Sequence, residues 1–231
     1  MDGFLMLLRW FHFLFGIIWI GLLYYFNLVQ TPFFAETEAP VRSGAIQKLV
    51  PRALWWFRWG AMGTVIIGII YLLIWWDSRL DMAFTPWTVA IFTGGAIGII
   101  MWANVWFVIW PNQKIIIANA IATAGGAAAN PAAAPAGRRA GLASRTNTLF
   151  SIPMLFFMGA ASHMPLIGEV TSGGLTKWII IDGIIIAVIE INALVGTQGP
   201  TKKPLDSVSG VILAGFAAWL VLLVGIHVAM P

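Results

Sequence analysis

FLMLLRWFHFLFGIIWIGLLYYFNL, residues Phe4–Leu28, is the stretch whose reading decides the fold. It runs for 25 residues with Arg9 as its one charged side chain. A helix of about 20 apolar residues crosses a hydrocarbon core of roughly 30 Å. A backbone in lipid must satisfy its own hydrogen bonds, so only helices or a closed barrel can span. A barrel reads as alternating segments of about ten residues. Here the apolar runs are continuous, as again in Thr64–Ile74 and Trp178–Ile189. The chain is predicted to be an all-α integral membrane protein.

Working outward, the same pattern gives a single helical membrane domain over 1–231, a bundle of about six transmembrane helices. The expected crossings are Phe4–Leu28, Leu54–Trp76, Trp87–Trp110, Leu149–His163, Trp178–Val195 and Val211–Val228. Turn and breaker residues mark their ends: Thr31-Pro32, Asp77–Asp81, Thr85-Pro86, Trp110-Pro111, Met164-Pro165 and Gly196–Pro204. The Ala/Gly/Pro-rich stretch 118–141 reads as a long cytoplasmic loop, entered through a short interfacial helix at Gln113–Ala122. The first apolar run lacks a basic leader and a small-residue cleavage site, and is expected to be a retained helix.

Composition narrows the chemistry. The chain is 60% hydrophobic, 10% charged and free of cysteine. That excludes disulfides, thiolate metal sites and a covalently attached c-type heme, which needs C-x-x-C-H. The net charge of +4 comes from basic residues between apolar runs, the footprint of membrane orientation rather than nucleic-acid binding. Ten of the 13 Lys and Arg fall on the odd-numbered loops, and Arg9, Arg79 and Lys177 fall on the other side. The positive-inside rule then places the odd loops of this multi-pass protein in the cytoplasm and both termini outside, on the periplasmic or otherwise non-cytoplasmic side.

In that topology the three histidines, His12, His163 and His227, all gather toward the periplasmic half. Ionisable residues in apolar segments are costly and usually have a functional or pairing reason. Imidazole is the commonest biological metal ligand, and histidines on facing helices hold b-type heme in membrane bundles. His12 and His163 are thus axial candidates for heme iron, with His227 a third cofactor-binding candidate. Arg9, three residues before His12, is placed to pair a heme propionate. Gly16, Gly21 and Gly159 would let a flat macrocycle approach the backbone. The plainer reading leaves His163 and His227 facing headgroups at helix ends and His12 bonded to a neighbouring helix. A three-histidine zinc or copper site is a further alternative. Asp182 reads equally as a proton relay, as a group orienting a histidine, or as structure. Glu190 and Asn192 read as partners for loop arginines, Trp102 and Trp106 as packing, and Trp55–Trp59 as part of an interfacial belt.

Arg9–Gln30, RWFHFLFGIIWIGLLYYFNLVQ, resembles the first helix of the membrane domain of bacterial membrane-bound urate hydroxylase, the urate oxidase N-terminal family. Ser144–Pro165, SRTNTLFSIPMLFFMGAASHMP, is similar to that family's later helix, and Asn104–Lys114, NVWFVIWPNQK, to its short stand-alone members. The opening W-x-H…W-x-G pattern is also similar to heme-binding protoporphyrinogen oxidase of the bacterial membrane type. The resemblance implies a multi-helix membrane domain, carries His12 and His163 over as matching histidines, and implies urate oxidation coupled to a fused cytochrome c domain. This sequence holds no C-x-x-C-H, so either a separate cytochrome is the electron partner or the chain has lost urate chemistry and serves another membrane complex. Three functions follow as expectations: a b-type heme redox protein serving a cytochrome or partner complex; a non-catalytic accessory subunit of a larger respiratory or photosynthetic assembly; or urate oxidation with a separate cytochrome c. A homo-oligomer is compatible with each.

Overall fold

Long uncharged runs with few breakers leave the backbone only its own carbonyls as partners, and the chain is helical almost throughout. The computed structural model describes residues 2–77, 84–164 and 166–230, with no strand among them. Four helical stretches are long and apolar enough to cross a membrane: Gly3–Glu36, Val50–Asp77, Pro86–Ala124 and Val208–Ala229. They contain the expected first, second, third and sixth crossings. The fourth and fifth fall on helices outside that set. Arg79, Pro165 and the separator Ser78–Asp81 lie outside the described residues.

The elements in order are α1 (Asp2–Tyr24), α2 (Thr31–Glu36), α3 (Ala39–Lys48), α4 (Val50–Asp77), α5 (Pro86–Ala103), α6 (Trp110–Ala124), α7 (Ala133–His163), α8 (Ser172–Leu194) and α9 (Val208–Ala229). They form two compact units. One holds Met1–Asp77 with Trp102–Ser144, and the other holds Ser78–Met101 with Arg145–Pro231.

Thr31-Pro32 and Trp110-Pro111 do not end their helices as expected. A π-helical segment, Tyr25–Gln30, joins α1 to α2, and a second, Asn104–Ile109, joins α5 to α6. The Thr31 N–H donates to Phe26 and the Trp110 N–H to Val105, each five residues back. A proline normally clashes with the carbonyl four residues earlier. For Pro32 and Pro111 that carbonyl belongs to Leu28 and Phe107, inside the wider π turns, which relieves the clash and lets the helix continue.

The carbonyls at the mouth of a π segment need other donors. Asn27 Nδ2 donates to the Leu23 carbonyl at 2.9 Å and to Ser144 Oγ at 2.8 Å. In the second unit, buried Asn147 Nδ2 donates to the Met101 carbonyl at 2.8 Å. Asn147→Leu keeps the volume and removes this donor, and an unmet buried acceptor costs about 1–3 kcal/mol. The expected result is a lowered thermal midpoint in detergent, with Thr123→Ala, on the half-buried face of α6, as a near-neutral control.

The 118–141 stretch is also corrected. α6 continues through Ala124 and α7 begins at Ala133, so only residues 125–132 lie outside helix. Alanine has the highest helix propensity, and here it outweighs the low complexity of the segment. Gly126, with φ of 86°, turns the chain between the two helices.

Other boundaries fall where the breakers predict. Thr85 Oγ1 accepts the Thr88 N–H while Thr88 Oγ1 accepts the Thr85 N–H, a reciprocal cap opening α5 at Pro86. Thr171 and Ser207 cap α8 and α9 by accepting the N–H groups of Gly174 and Gly210. Between those helices, buried Lys202 donates to the Val195 carbonyl and Arg145 to that of Leu205. Asn192 likewise donates to the Thr201 carbonyl, a backbone group of the loop rather than an arginine.

Candidate functional site

In the first unit, α1 and α4 meet along a ladder of close contacts. Arg9 donates to the Tyr71 phenol oxygen at 2.5 Å, with its guanidinium 5.4 Å from that ring's centroid. One turn further on, His12 Nδ1 lies 2.9 Å from the Thr64 carbonyl oxygen. A carbonyl only accepts, so Nδ1 carries the proton and donates it, and Nε2 keeps its lone pair. Metal-ligating histidines are characteristically held in this manner through the second ring nitrogen. The ring is half-buried.

Glycines on α4 make the approach possible. A Cβ at Gly68 would sit 3.0 Å from His12 Cε1 and 3.1 Å from Nδ1. Gly63 lies against the Phe15 ring, and Gly60 against Ile18 and the Trp19 backbone. Of the glycines expected to admit a macrocycle, Gly16 instead faces the Thr64 methyl, whereas an added Cβ at Gly21 or Gly159 would meet nothing within 4 Å.

The other two histidines belong to the second unit. His163 is the last residue of α7 and is exposed. His227 is exposed on α9, with Nδ1 2.8 Å from the Leu223 carbonyl of its own helix. No group of three His, Cys, Asp or Glu side chains among the described residues is arranged to hold a metal ion.

Two clusters were only half legible in the sequence. On α8, Trp178 and Asp182 are one turn apart, and Trp178 Nε1 donates to Asp182 Oδ2 at 2.8 Å. Thr93 of α5 donates to the same oxygen at 3.0 Å and accepts from the indole at 3.0 Å. The i, i+4 spacing could have been seen in advance, but Thr93 could not. Arg58 of α4 lies 3.7 Å from the Trp110 ring centroid and 5.3 Å from that of Trp106, with Lys114 5.7 Å from Trp110. The aromatic residues expected as packing and as a belt therefore also stack on cations.

The family model described as urate oxidase N-terminal matches residues 75–224, more than half of the chain. The chain belongs to this family. The urate oxidase N-terminal match takes in Asn147, His163 and Asp182 and leaves Arg9, His12 and His227 outside it. Membership thus agrees with the resemblance of Ser144–Pro165, while the case for His12 rests on its own geometry. No curated protein and no solved structure matches the chain.

Proposed function

We propose that this chain is a membrane-embedded b-type heme protein that passes electrons to or from a separate cytochrome or partner complex, with His12 as an axial ligand. The observation that supports the reading is the Thr64 carbonyl holding Nδ1–H, which leaves Nε2 as a fixed lone pair on a helix of the first unit. Arg9 spends one donor on Tyr71 and retains others for a propionate. His163 and His227 stand as ligand candidates by residue type alone. When bound, heme supplies reversible one-electron carriage.

The same reading includes six crossings with both termini periplasmic, in the inner membrane of a bacterium. It draws on the exposed isoleucines and valine of α8, Ile179, Ile180, Ile184, Val188 and Ile191, a face suited to lipid. An optical spectrum of the purified protein, oxidised and reduced, tests the heme. A Soret band that shifts on reduction is expected, and a colourless preparation from heme-replete cells would sink the reading.

A second reading is a non-catalytic accessory subunit. Gly95 and Gly159, where an added Cβ would meet nothing within 4 Å, offer small-residue positions on which membrane helices approach closely. Recovery only with stoichiometric partners, unaffected by histidine substitution, would favour it. Urate oxidation with an added cytochrome c acceptor is the third reading, motivated by family membership and tested by urate consumption.

A further inference from the structure

Asp182 sits in the second unit with 4% of its surface exposed. Both of its hydrogen-bond donors, Trp178 Nε1 and Thr93 Oγ1, converge on Oδ2. Oδ1 is buried and has no partner. On that side it faces Gly225 of α9, where an added Cβ would lie 3.4 Å from Oδ1 and 2.9 Å from the Ile181 methyl. Among the described residues, no charged group bonds to the carboxyl. α5 carries no titratable residue, α9 contributes only exposed His227, and the other titratable residues of α8 are Lys177 and Glu190, neither of them hydrogen-bonded to it.

A carboxylate spreads its charge over two oxygens, and both need donors when buried. Here one oxygen has two and the other has none, against an apolar wall. A hydroxyl on Oδ1 would also lack a partner, but an unpaired neutral O–H costs far less than an unpaired charge, which favours the neutral acid with Oδ2 as the carbonyl oxygen and Oδ1 as the hydroxyl. An ionised group in this place would carry an uncompensated charge with no cation to pair it.

We infer that Asp182 is a proton-binding site, holding one proton on Oδ1 in the interior of the second unit. The step balances simply: a hydronium ion gives up a proton, which forms the O–H bond on Oδ1 and cancels the single negative charge, and a neutral water is left behind. The group is then a proton store able to donate to a base brought against α8 and α9, independently of whether heme is bound. In lipid, buried acids of this kind characteristically belong to proton pathways.

Infrared spectroscopy of the full chain in lipid vesicles, across a pH series, tests the assignment. The wild type is expected to show a protonated-carboxyl C=O band that persists well above the pH at which an exposed aspartate loses its proton. The band should vanish in Asp182→Asn and persist in Asp206→Asn, a control at an exposed loop position. Identical carboxyl regions in wild type and Asp182→Asn would overturn the proposal. Thr93→Val provides a second readout should Asp182→Asn not fold. Losing one donor to Oδ2 must move the band to higher frequency, and an unmoved band overturns the proposal equally.

Discussion

On the proposed heme reading, His12→Ala is expected to lose the heme absorbance of the purified protein while leaving the chain folded. The imidazole contributes little to the α1–α4 contact beyond its bond to Thr64, since the surrounding ladder is made by Phe15, Trp19 and the glycines facing them. Removing a half-buried ring there costs roughly a lost hydrogen bond, about 1 kcal/mol. Removing an axial ligand abolishes that iron bond outright. A graded companion is Gly68→Ala, whose new methyl would press on Cε1 and Nδ1 and push the ring off the Thr64 carbonyl. Disturbing the group that orients a metal-binding histidine typically costs about 10–100-fold in affinity. Heme titration of the three proteins should rank wild type above Gly68→Ala and that above His12→Ala. Equal occupancy in all three would remove His12 from the site.

Gly215→Val is expected to have the largest effect on folding. A Cβ at Gly215 would lie 2.5 Å from Ile152 Cδ1 and 2.9 Å from the Leu149 carbonyl oxygen. The methyl could swing aside, but the carbonyl is backbone of α7 and cannot. The helices must separate, and Phe156 and Trp219, whose rings pack edge-on at 5.2 Å on the same pair of helices, separate with them. Overpacking of this sort costs about 1–3 kcal/mol or more. The variant should show reduced yield and a lowered unfolding midpoint in detergent. Gly95→Ala, where nothing lies within 4 Å, should be neutral or stabilising through helix propensity alone. If both variants behave alike, the close approach of α7 and α9 is not as described.

Family and fold class were open to reading from the chain because they depend on local features. Continuous apolar runs leave helices as the economical spanning structure, and the capping threonines and serines before α5, α8 and α9 act within one turn. The two prolines misled because proline's effect depends on the hydrogen-bond spacing before it, and a π turn is a cooperative choice, in the first case with Asn27 inside the segment bonding the Leu23 carbonyl one turn back. The Ala-rich segment misled for the opposite reason, since low complexity suggests a loop whereas the local helix propensity of alanine prevails through Ala124 and from Ala133.

For the site, residue type singled out His12, Arg9 and Asp182 as the costly groups in apolar surroundings, a matter of solvation that needs no tertiary contact. Which hydrogen bonds offset that cost was decided only by packing. α4 brings the Thr64 carbonyl and the bare Gly68 against His12, and α5 brings Thr93 to one oxygen of Asp182 while α9 leaves the other bare. Those partners lie 52 and 89 residues away along the chain. Hydropathy has a memory of a few turns, and hydrogen bonds between helices have none in sequence, so the tautomer of one imidazole and the lopsided cradle of one carboxyl belong to the tertiary structure alone.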